Sequence, residues 1–173
     1  MACALTQGYS LDCIDSQGGM KAAHVIEWAN VTTVTSSAGV VTGITKATGK
    51  QFWKYNLVKQ TGSFEETNAV NEETGTNLVT QMVKFPLNKL TASVANELRL
   101  LSKNRLMVVV VDNNGKGWLY GRDNAMVAKT SKAGSGVKFS DRNGYDLELE
   151  GFEKELAYEV DSATLATLET PGT

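Results

Sequence analysis

Cysteine, proline and histidine are all scarce in this chain of 173 residues, which has two cysteines, two prolines and one histidine. A single histidine excludes zinc sites built from several imidazoles, and it leaves at most one imidazole base for catalysis. We expect that residue, His24, to be an ordinary strand residue. Cys3 and Cys13 could bridge a short loop, but a chain of this length does not need such a cross-link, so we expect reduced thiols.

Long apolar runs and a surplus of positive charge are also missing. No apolar run approaches the roughly 20 residues that a membrane-spanning helix needs. The first residues lack the basic start and the apolar stretch of a secretory signal. The net charge of −2 leaves no global basic surface for gripping nucleic acid. We therefore expect a protein that folds in a cytoplasm and has no membrane as a partner.

The residues that are abundant favour strands joined by tight turns. The chain has 16 glycines, and threonine and valine are frequent. Its apolar fraction of 42% is ordinary for a globular protein, and its length fits one domain over residues 1–173. We predict a mainly β fold, a sandwich or barrel with one flanking α-helix and a long β-hairpin arm.

The flanking helix is predicted over about residues 88–104. Asn88 is a plausible N-cap, and Asn104 is a plausible left-handed stop. The apolar residues of this stretch recur at helical spacing and share one face. They are Leu87, Leu90, Val94, Leu98 and Leu101.

A valine-rich hairpin follows the helix directly. Four consecutive valines at 108–111 are stiff about χ1 and predict a strand covered on both faces. The Asn-Gly pair at 114–115 accepts positive φ, so we expect a turn there and a returning strand from Trp118. The helix and this hairpin together form the predicted centre of the core.

Three other segments complete the predicted organisation. Residues 1–20 are small and polar and read as an N-terminal arm, and residues 162–173 read as a frayed C-terminal tail. Between Ala22 and Thr35 the strand pattern slips, which predicts a bulge or break near Asn30.

Residues 63–85 predict a long hairpin arm that turns near residues 73–75. Much of it is too polar to be buried in its own domain, so it either protrudes or pairs with a neighbouring chain. Its candidate inter-subunit residues are Glu65, Glu66, Asn68, Asn71, Glu72 and Glu73.

The strand beginning at residue 144 has the clearest alternation. Its apolar residues point one way, and Asp146, Glu148 and Glu150 point the other. A glycosidase needs two carboxylates that face each other across a cleft, whereas three in a row repel one another and suit a solvated surface. A calcium site is an alternative, although the usual Asp-rich loop is missing.

Two further motifs invite a chemical interpretation. Gly43–Lys50 superficially resembles a phosphate-binding loop, but Gln51 stands where a magnesium-binding hydroxyl is needed, so we predict a β-turn. The alternating aromatics suit either a platform for stacking sugars or bases, or the core, which is the commoner fate. These aromatics are Trp53, Tyr55, Trp118 and Tyr120.

Three segments carry a resemblance to a known family. They read ACALTQGYSLDC with DSQGG, LNKLTASVANELRLLSKNRL, and DRNGYDLELEGFEKELAYEVD. They are similar to structural proteins encoded by phages of Bacteroidetes hosts. In its order of arm, strands, polar hairpin, helix, valine-rich hairpin and acidic strand, the chain resembles the tail tube proteins of long-tailed bacteriophages and the related tube proteins of contractile injection systems.

The resemblance implies a virion structural protein with no catalytic residue, metal or cofactor. Its subunits would join edge to edge as hexameric rings and stack into a tail tube, assembled in the host cytoplasm, for genome delivery. Asp146, Glu148 and Glu150 would face the lumen, where DNA passes without specific binding. The partners would be copies of the chain and other tail and neck proteins.

Other functions remain open on the sequence. A head–tail connector, a tail terminator or a capsid decoration protein would form a single ring or a capsid lattice. A carbohydrate-binding module would use the tryptophan and tyrosine face. A small hydrolase lacks a nucleophile–base signature in this chain.

Overall fold

The computed structural model describes residues 8–10 and 13–173, and their architecture is mainly β, as predicted. In chain order the elements are β1 (Met20–Glu27), β2 (Val31–Ser37), β3 (Val40–Lys46), β4 (Trp53–Asn56), β5 (Ser63–Asn71), β6 (Thr76–Asn88), α1 (Ala92–Leu101), β7 (Leu106–Asp112), β8 (Gly117–Tyr120), β9 (Met126–Gly134), β10 (Gly144–Glu153), β11 (Tyr158–Val160) and α2 (Ser162–Thr167).

The eleven strands form one sheet that branches at β7. The main path runs β2-β3-β11-β8-β7-β9-β10-β6-β5, and β1 pairs with both β7 and β4. All pairings are antiparallel except β3 with β11. The link from β7 to β9 is a single pair, Leu106 with Met126. The main path therefore ends at β2 and at β5, and the branch ends at β4, which pairs only with β1.

Strand β7 lies between two apolar cores, which confirms the prediction that it is covered on both faces. Val108 and Val110 point into the first core, which α1 covers with Leu98 and Leu101. Met107 and Val109 point into the second core, which includes Phe52 and Leu168. Each fully buried valine contributes ~1.5–3 kcal/mol by leaving water. The hairpin predicted from the Asn-Gly pair also forms, since Val111 pairs with Gly117.

Helix α1 is shorter than the predicted 88–104. Strand β6 continues to Asn88 because Leu87 pairs with Tyr145 of β10, and Lys89 then turns the chain with φ of 68°. The N-cap is Thr91, whose hydroxyl accepts a hydrogen bond from the Val94 amide at 3.3 Å. The prediction of Asn88 as the cap is therefore wrong, since pairing with β10 outcompetes an earlier start of the helix.

The predicted hairpin arm consists of β5 and β6, which turn at residues 72–75. Strand β6 pairs with β10 from Val79 to Asn88, so most of it belongs to the sheet. Residues 69–78 extend beyond the end of β10 as an exposed tip. Three residues on each strand precede the turn, so at about 3.4 Å per residue the tip projects about 10 Å.

The C-terminal residues do not fray, so that prediction is wrong. Asp161 accepts a hydrogen bond from the Thr164 amide at 2.7 Å and caps α2. Leu168 is buried in the second core, and Gly172 forms a bridge with Thr48. Tertiary packing of one leucine thus orders a segment whose sequence favours no regular structure.

The structure also bears on the predicted break near Asn30, on the Gly43–Lys50 segment and on the N-terminal arm. The expected break near Asn30 is a short 3-10 turn over Trp28–Asn30. The Gly43–Lys50 segment is the end of β3 followed by a turn, in which Lys50 donates to the carbonyl of Ala47 at 2.9 Å. Residues 13–19 of the N-terminal arm contain no strand. Cys13 is an exposed thiol, and Cys3 lies outside the described residues.

Candidate functional site

The acidic row of β10 lies on the outer face of the sheet, opposite the first core. Leu147 and Leu149 point inward and are buried, whereas the Asp146 side chain is 55% exposed and those of Glu148 and Glu150 are 25% and 17% exposed. The predicted alternation is therefore confirmed. The residues proposed to line a lumen share one face of the sheet. They do not face one another across a cleft, as the two carboxylates of a glycosidase do.

Cations from three segments compensate the acidic row. The Lys129 ammonium lies 2.5 Å from Glu150 and 4.0 Å from Glu148, and its proximity to Glu150 raises the pKa of Lys129. Lys84 on β6 lies 3.9 Å from Glu148. Arg142 pairs with Asp146. The expectation that the three carboxylates repel one another is therefore wrong, since each has a cationic neighbour.

A β-bulge explains how one lysine reaches two carboxylates. Glu148 pairs with Thr130, and the next residue of β10, Leu149, pairs with Ala128, which leaves Lys129 as the extra residue. A bulge bends the strand and re-aims its side chain. Solvent screens surface ion pairs of this kind, so they set the charge of the surface more than the stability of the fold.

Five of the six candidate arm residues are exposed, namely Glu65, Asn68, Asn71, Glu72 and Glu73. Asn71 shapes the tip, because its side-chain oxygen accepts hydrogen bonds from the amides of Glu73 at 3.0 Å and Thr74 at 3.2 Å. The tip is therefore a defined turn that presents carboxylates to solvent.

Glu66 differs from the other arm residues because it faces its own domain. Its Oε1 accepts hydrogen bonds from the Ala157 amide at 2.8 Å and from Gln81 Nε2 at 3.0 Å. Gln81 is buried and accepts a hydrogen bond from the Gly121 amide at 3.0 Å. Burial raises the pKa of Glu66. Its assignment as an inter-subunit contact is corrected, since its carboxylate is engaged inside one chain.

A second inward carboxylate, Glu153, organises the turn between β8 and β9. It is buried, accepts hydrogen bonds from the amides of Asp123 at 3.0 Å and Asn124 at 2.9 Å, and has a pKa raised by burial. Next to it, Arg122 donates twice to Asp123 and lies 4.2 Å above the ring of Tyr158. These contacts fasten a turn at the sheet surface.

His24 is buried in β1, as a strand residue without an evident catalytic neighbour. Its only side-chain hydrogen bond among the described residues joins Nε2 to Glu169 at 3.4 Å, and Lys54 also pairs with Glu169 at 3.2 Å. Burial lowers the pKa of His24. The carboxylate thereby fastens the segment after α2 to β1 and β4.

The four alternating aromatics do not form one stacking platform. Tyr120 is buried, and Tyr55 and Trp118 are half-buried against the same first core. Tyr55 packs on Phe85 with ring centroids 5.9 Å apart. Only Trp53 is largely exposed, at 62%. Packing in the core is thus the fate of three of the four rings, which leaves one exposed ring for a sugar or a base.

Within residues 8–10 and 13–173, no three side chains of the metal-binding types cluster to hold an ion. In the same part of the chain, neither helix has the length and apolar character needed to cross a bilayer.

Comparison of the chain with protein-family models, with curated proteins and with solved structures found no match.

Sequence reasoning missed the buried polar residues, although the strand period carried a signal for two of them. Gln81 has the same phase in β6 as Val79 and Val83, and Glu153 has the same phase in β10 as Leu149. A period of two therefore places both inside. Glu66 likewise has the same phase in β5 as Phe64, which packs on the first core, although its partner, the Ala157 amide, is far away in sequence.

Proposed function

We propose that the chain is a structural subunit of a phage virion that assembles into stacked, hexameric rings of a tail tube, a conduit for genome delivery. The observation that carries this proposal is the pair of edge strands at the two ends of the main path, β2 and β5, neither of which has a second strand partner among the described residues. The resemblance of the three sequence segments to tail tube proteins supplies the specific assignment to a tube.

Strand β5 is suited to pairing with another chain. It forms nine regular pairs with β6, without a register shift, and its other side has no strand partner among the described residues. Its sequence, SFEETNAVN, contains neither lysine nor proline. Monomeric sheets commonly protect their edges with such residues or with bulges. Two glutamates lie on this edge, and its nine residues without a bulge, lysine or proline offer regular backbone groups for pairing with another chain.

Strand β2 offers a second edge at the opposite end of the sheet. Its sequence, VTTVTSS, has no charged residue and no proline, and its pairing with β3 contains two register shifts. Pairing of β2 in one copy with β5 in the next is a heterologous contact, in which two different surfaces meet. Such contacts generate a ring when the rotation between neighbours closes. Each copy then satisfies the open backbone of both its neighbours.

The compensated row on β10 suits the wall of a conduit. In the assembled tube Asp146, Glu148 and Glu150 face the lumen, with Lys84, Lys129 and Arg142 among them. A mixed-charge surface holds no dense row of free cations to bind phosphates, so DNA slides past it. The exposed tip at residues 69–78 lies where it can contact an adjacent ring.

Two adjacent proline variants test edge pairing. The amides of Thr67 and Asn68 point to opposite sides of β5, so only one of them donates to β6. Thr67→Pro and Asn68→Pro are each examined by circular dichroism, thermal unfolding and negative-stain electron microscopy. The variant with the outward amide is expected to keep the monomer fold and lose the rings that the wild-type chain forms. Intact rings in both variants would exclude β5 from the interface, and a wild-type chain without rings at high concentration would overturn the proposed function.

A further inference from the structure

The loop between β9 and β10 presents two apolar side chains on a preformed turn. Val137 and Phe139 are 98% and 114% exposed, so neither side chain is shielded from water by the rest of the chain. The turn is held by Asp141, whose Oδ2 accepts hydrogen bonds from the amides of Val137 and Lys138, each at 2.9 Å. We call Val137, Lys138 and Phe139 the apolar turn.

Hydrogen bonds and one glycine define the backbone conformation of the turn. The amide of Asp141 donates back to the Lys138 carbonyl at 3.0 Å. Gly136 has a φ of 69°, and a Cβ at that position would lie 2.3 Å from the Cβ of Asp141. Only glycine fits this close approach. A segment that is ordered before binding avoids most of the ordering cost that an exposed loop would otherwise incur.

An apolar groove lies between α1 and the strands beneath it. Its volume is about 300 Å³, at the lower end of the range for binding pockets. We call it the α1 groove. Its apolar walls are formed by Tyr55, Val58, Pro86, Leu87, Val94 and Leu98. The apolar turn of the same chain leaves this groove open, since Phe139 has no contact that shields it from water.

The charges of the two surfaces are complementary. Glu97 lines the α1 groove, and among the described residues it has neither a salt bridge nor a side-chain hydrogen bond. Burial and then the nearby charge of Glu97 raise the pKa of Tyr55. Lys138 stands between the two apolar side chains of the turn and likewise has no ion pair in the described part of the chain. A contact between the surfaces would therefore place a cation near a carboxylate at the rim of an apolar pocket.

We propose that the apolar turn of one copy of this chain docks into the α1 groove of a second copy, with Lys138 beside Glu97. This inference rests on the self-association in the proposed function and names a second contact that accompanies edge pairing. The contact is heterologous, so it is compatible with a closed ring. It removes the two most exposed apolar side chains of the loop from water.

A charge-swap cycle tests the contact. The wild-type chain, Lys138→Glu, Glu97→Lys and the double variant are compared by sedimentation velocity and electron microscopy, with the critical concentration for assembly as the readout. Each single swap is expected to raise this concentration about three- to tenfold, and the double swap is expected to restore it to within about threefold of wild type. The three residues at the turn and Glu97 are exposed, so monomer stability should not change.

Phe139→Ser tests the apolar part of the contact, with Leu156→Ser as the matched control. Leu156 is also exposed, at 55%, and lies beyond the other end of β10. The ten residues of β10 place the two loops about 30 Å apart. Phe139→Ser should raise the critical concentration about tenfold or more, and Leu156→Ser should leave it unchanged.

The possible results separate the two proposals. Wild-type assembly that is insensitive to both swaps and to Phe139→Ser overturns the docking contact and leaves the tube subunit in place. Turn-dependent dimers that never form rings support the docking contact and overturn the tube subunit. A wild-type chain that stays monomeric overturns both.

Discussion

Lys46 and Thr170 are joined by a hydrogen bond of 2.6 Å, from a buried ammonium on β3 to a main-chain carbonyl beyond α2. The same ammonium donates to the carbonyls of Thr167 at 2.7 Å and Leu168 at 3.1 Å. The carboxyl end of a helix carries partial negative charge, which suits a cation. One lysine thereby satisfies three carbonyls and holds the C-terminal segment on the second core.

Removal of the Lys46 ammonium should loosen this segment. Lys46→Met keeps the apolar stem but leaves the carbonyls of Thr167, Leu168 and Thr170 without their donor. We expect a loss of about 2–3 kcal/mol in the free energy of unfolding, measured by denaturant titration. Lys50→Met, at an exposed side chain on the same turn, should stay within about 0.5 kcal/mol of wild type. Equal effects of the two substitutions would show that the ammonium does not hold the segment.

The half-buried carboxylate of Glu66 should make stability depend on pH. Because burial raises its folded-state pKa, the ionised form costs the native state free energy. That cost is absent below the pKa of the carboxyl in the unfolded chain, about 4.3. It grows as the pH rises from there through the higher pKa of the carboxyl in the folded chain. Glu66→Gln keeps the acceptor oxygen and removes the charge. The variant should therefore gain stability relative to wild type between pH 4 and pH 7.

The free energy of unfolding at these two pH values, for wild type and variant, measures this effect. Glu65→Gln is the control, since the neighbouring carboxylate is exposed and its variant should track wild type at both pH values. A Glu66→Gln variant whose free energy of unfolding falls relative to wild type as the pH rises would contradict the predicted direction of the effect.

Charge reversal on the β10 row should separate assembly from transport. With Asp146, Glu148 and Glu150 all changed to lysine, the surface ion pairs are lost, but the buried Leu147 and Leu149 still hold β10 in the sheet, so the fold and the tube should survive. The row would then present six cations with Lys84, Lys129 and Arg142, and these would retain DNA phosphates. Virions that carry this variant are expected to infect poorly in a plaque assay.

The neutral variant, with asparagine and glutamines at the same three positions, is the matched control for charge. It should infect more efficiently than the lysine variant. Normal infectivity of the lysine variant would show that these three residues do not line the lumen.

Shortening the hairpin should affect contacts between rings. The structure limits such a deletion to the tip, because Phe64 packs on Tyr120 and Glu66 is bonded within the chain. Replacement of residues 69–78 by Asn-Gly joins Asn68 to Val79, which already pair, through a two-residue hairpin turn. The monomer should unfold within a few degrees of wild type, and electron microscopy should show rings that no longer stack. Full-length tubes from this variant would exclude the tip as a stacking contact.

The parts of the fold that local pattern determines were predictable. The four valines and the Asn-Gly turn predicted β7 and β8, and the alternation after Gly144 predicted β10. In each case the hydrophobic period and the turn chemistry agree with the tertiary fold.

The parts that depend on distant partners were not predictable. Helix α2 has six residues, too few to be stable alone, and it depends on the burial of Leu168 and on the Lys46 ammonium. The compensation of the acidic row depends on Lys84 and on the bulge at Lys129, whose register no local pattern reveals. The sequence thus predicted the row itself, and the structure adds the charges around it.

Sedimentation velocity of the purified wild-type chain over a wide range of concentration shows whether the edge strands β2 and β5 pair with other copies of the chain. We expect a cooperative change from single chains to rings of about six copies and then to longer stacks. A single monomeric boundary at every concentration, up to the limit of solubility, would contradict it.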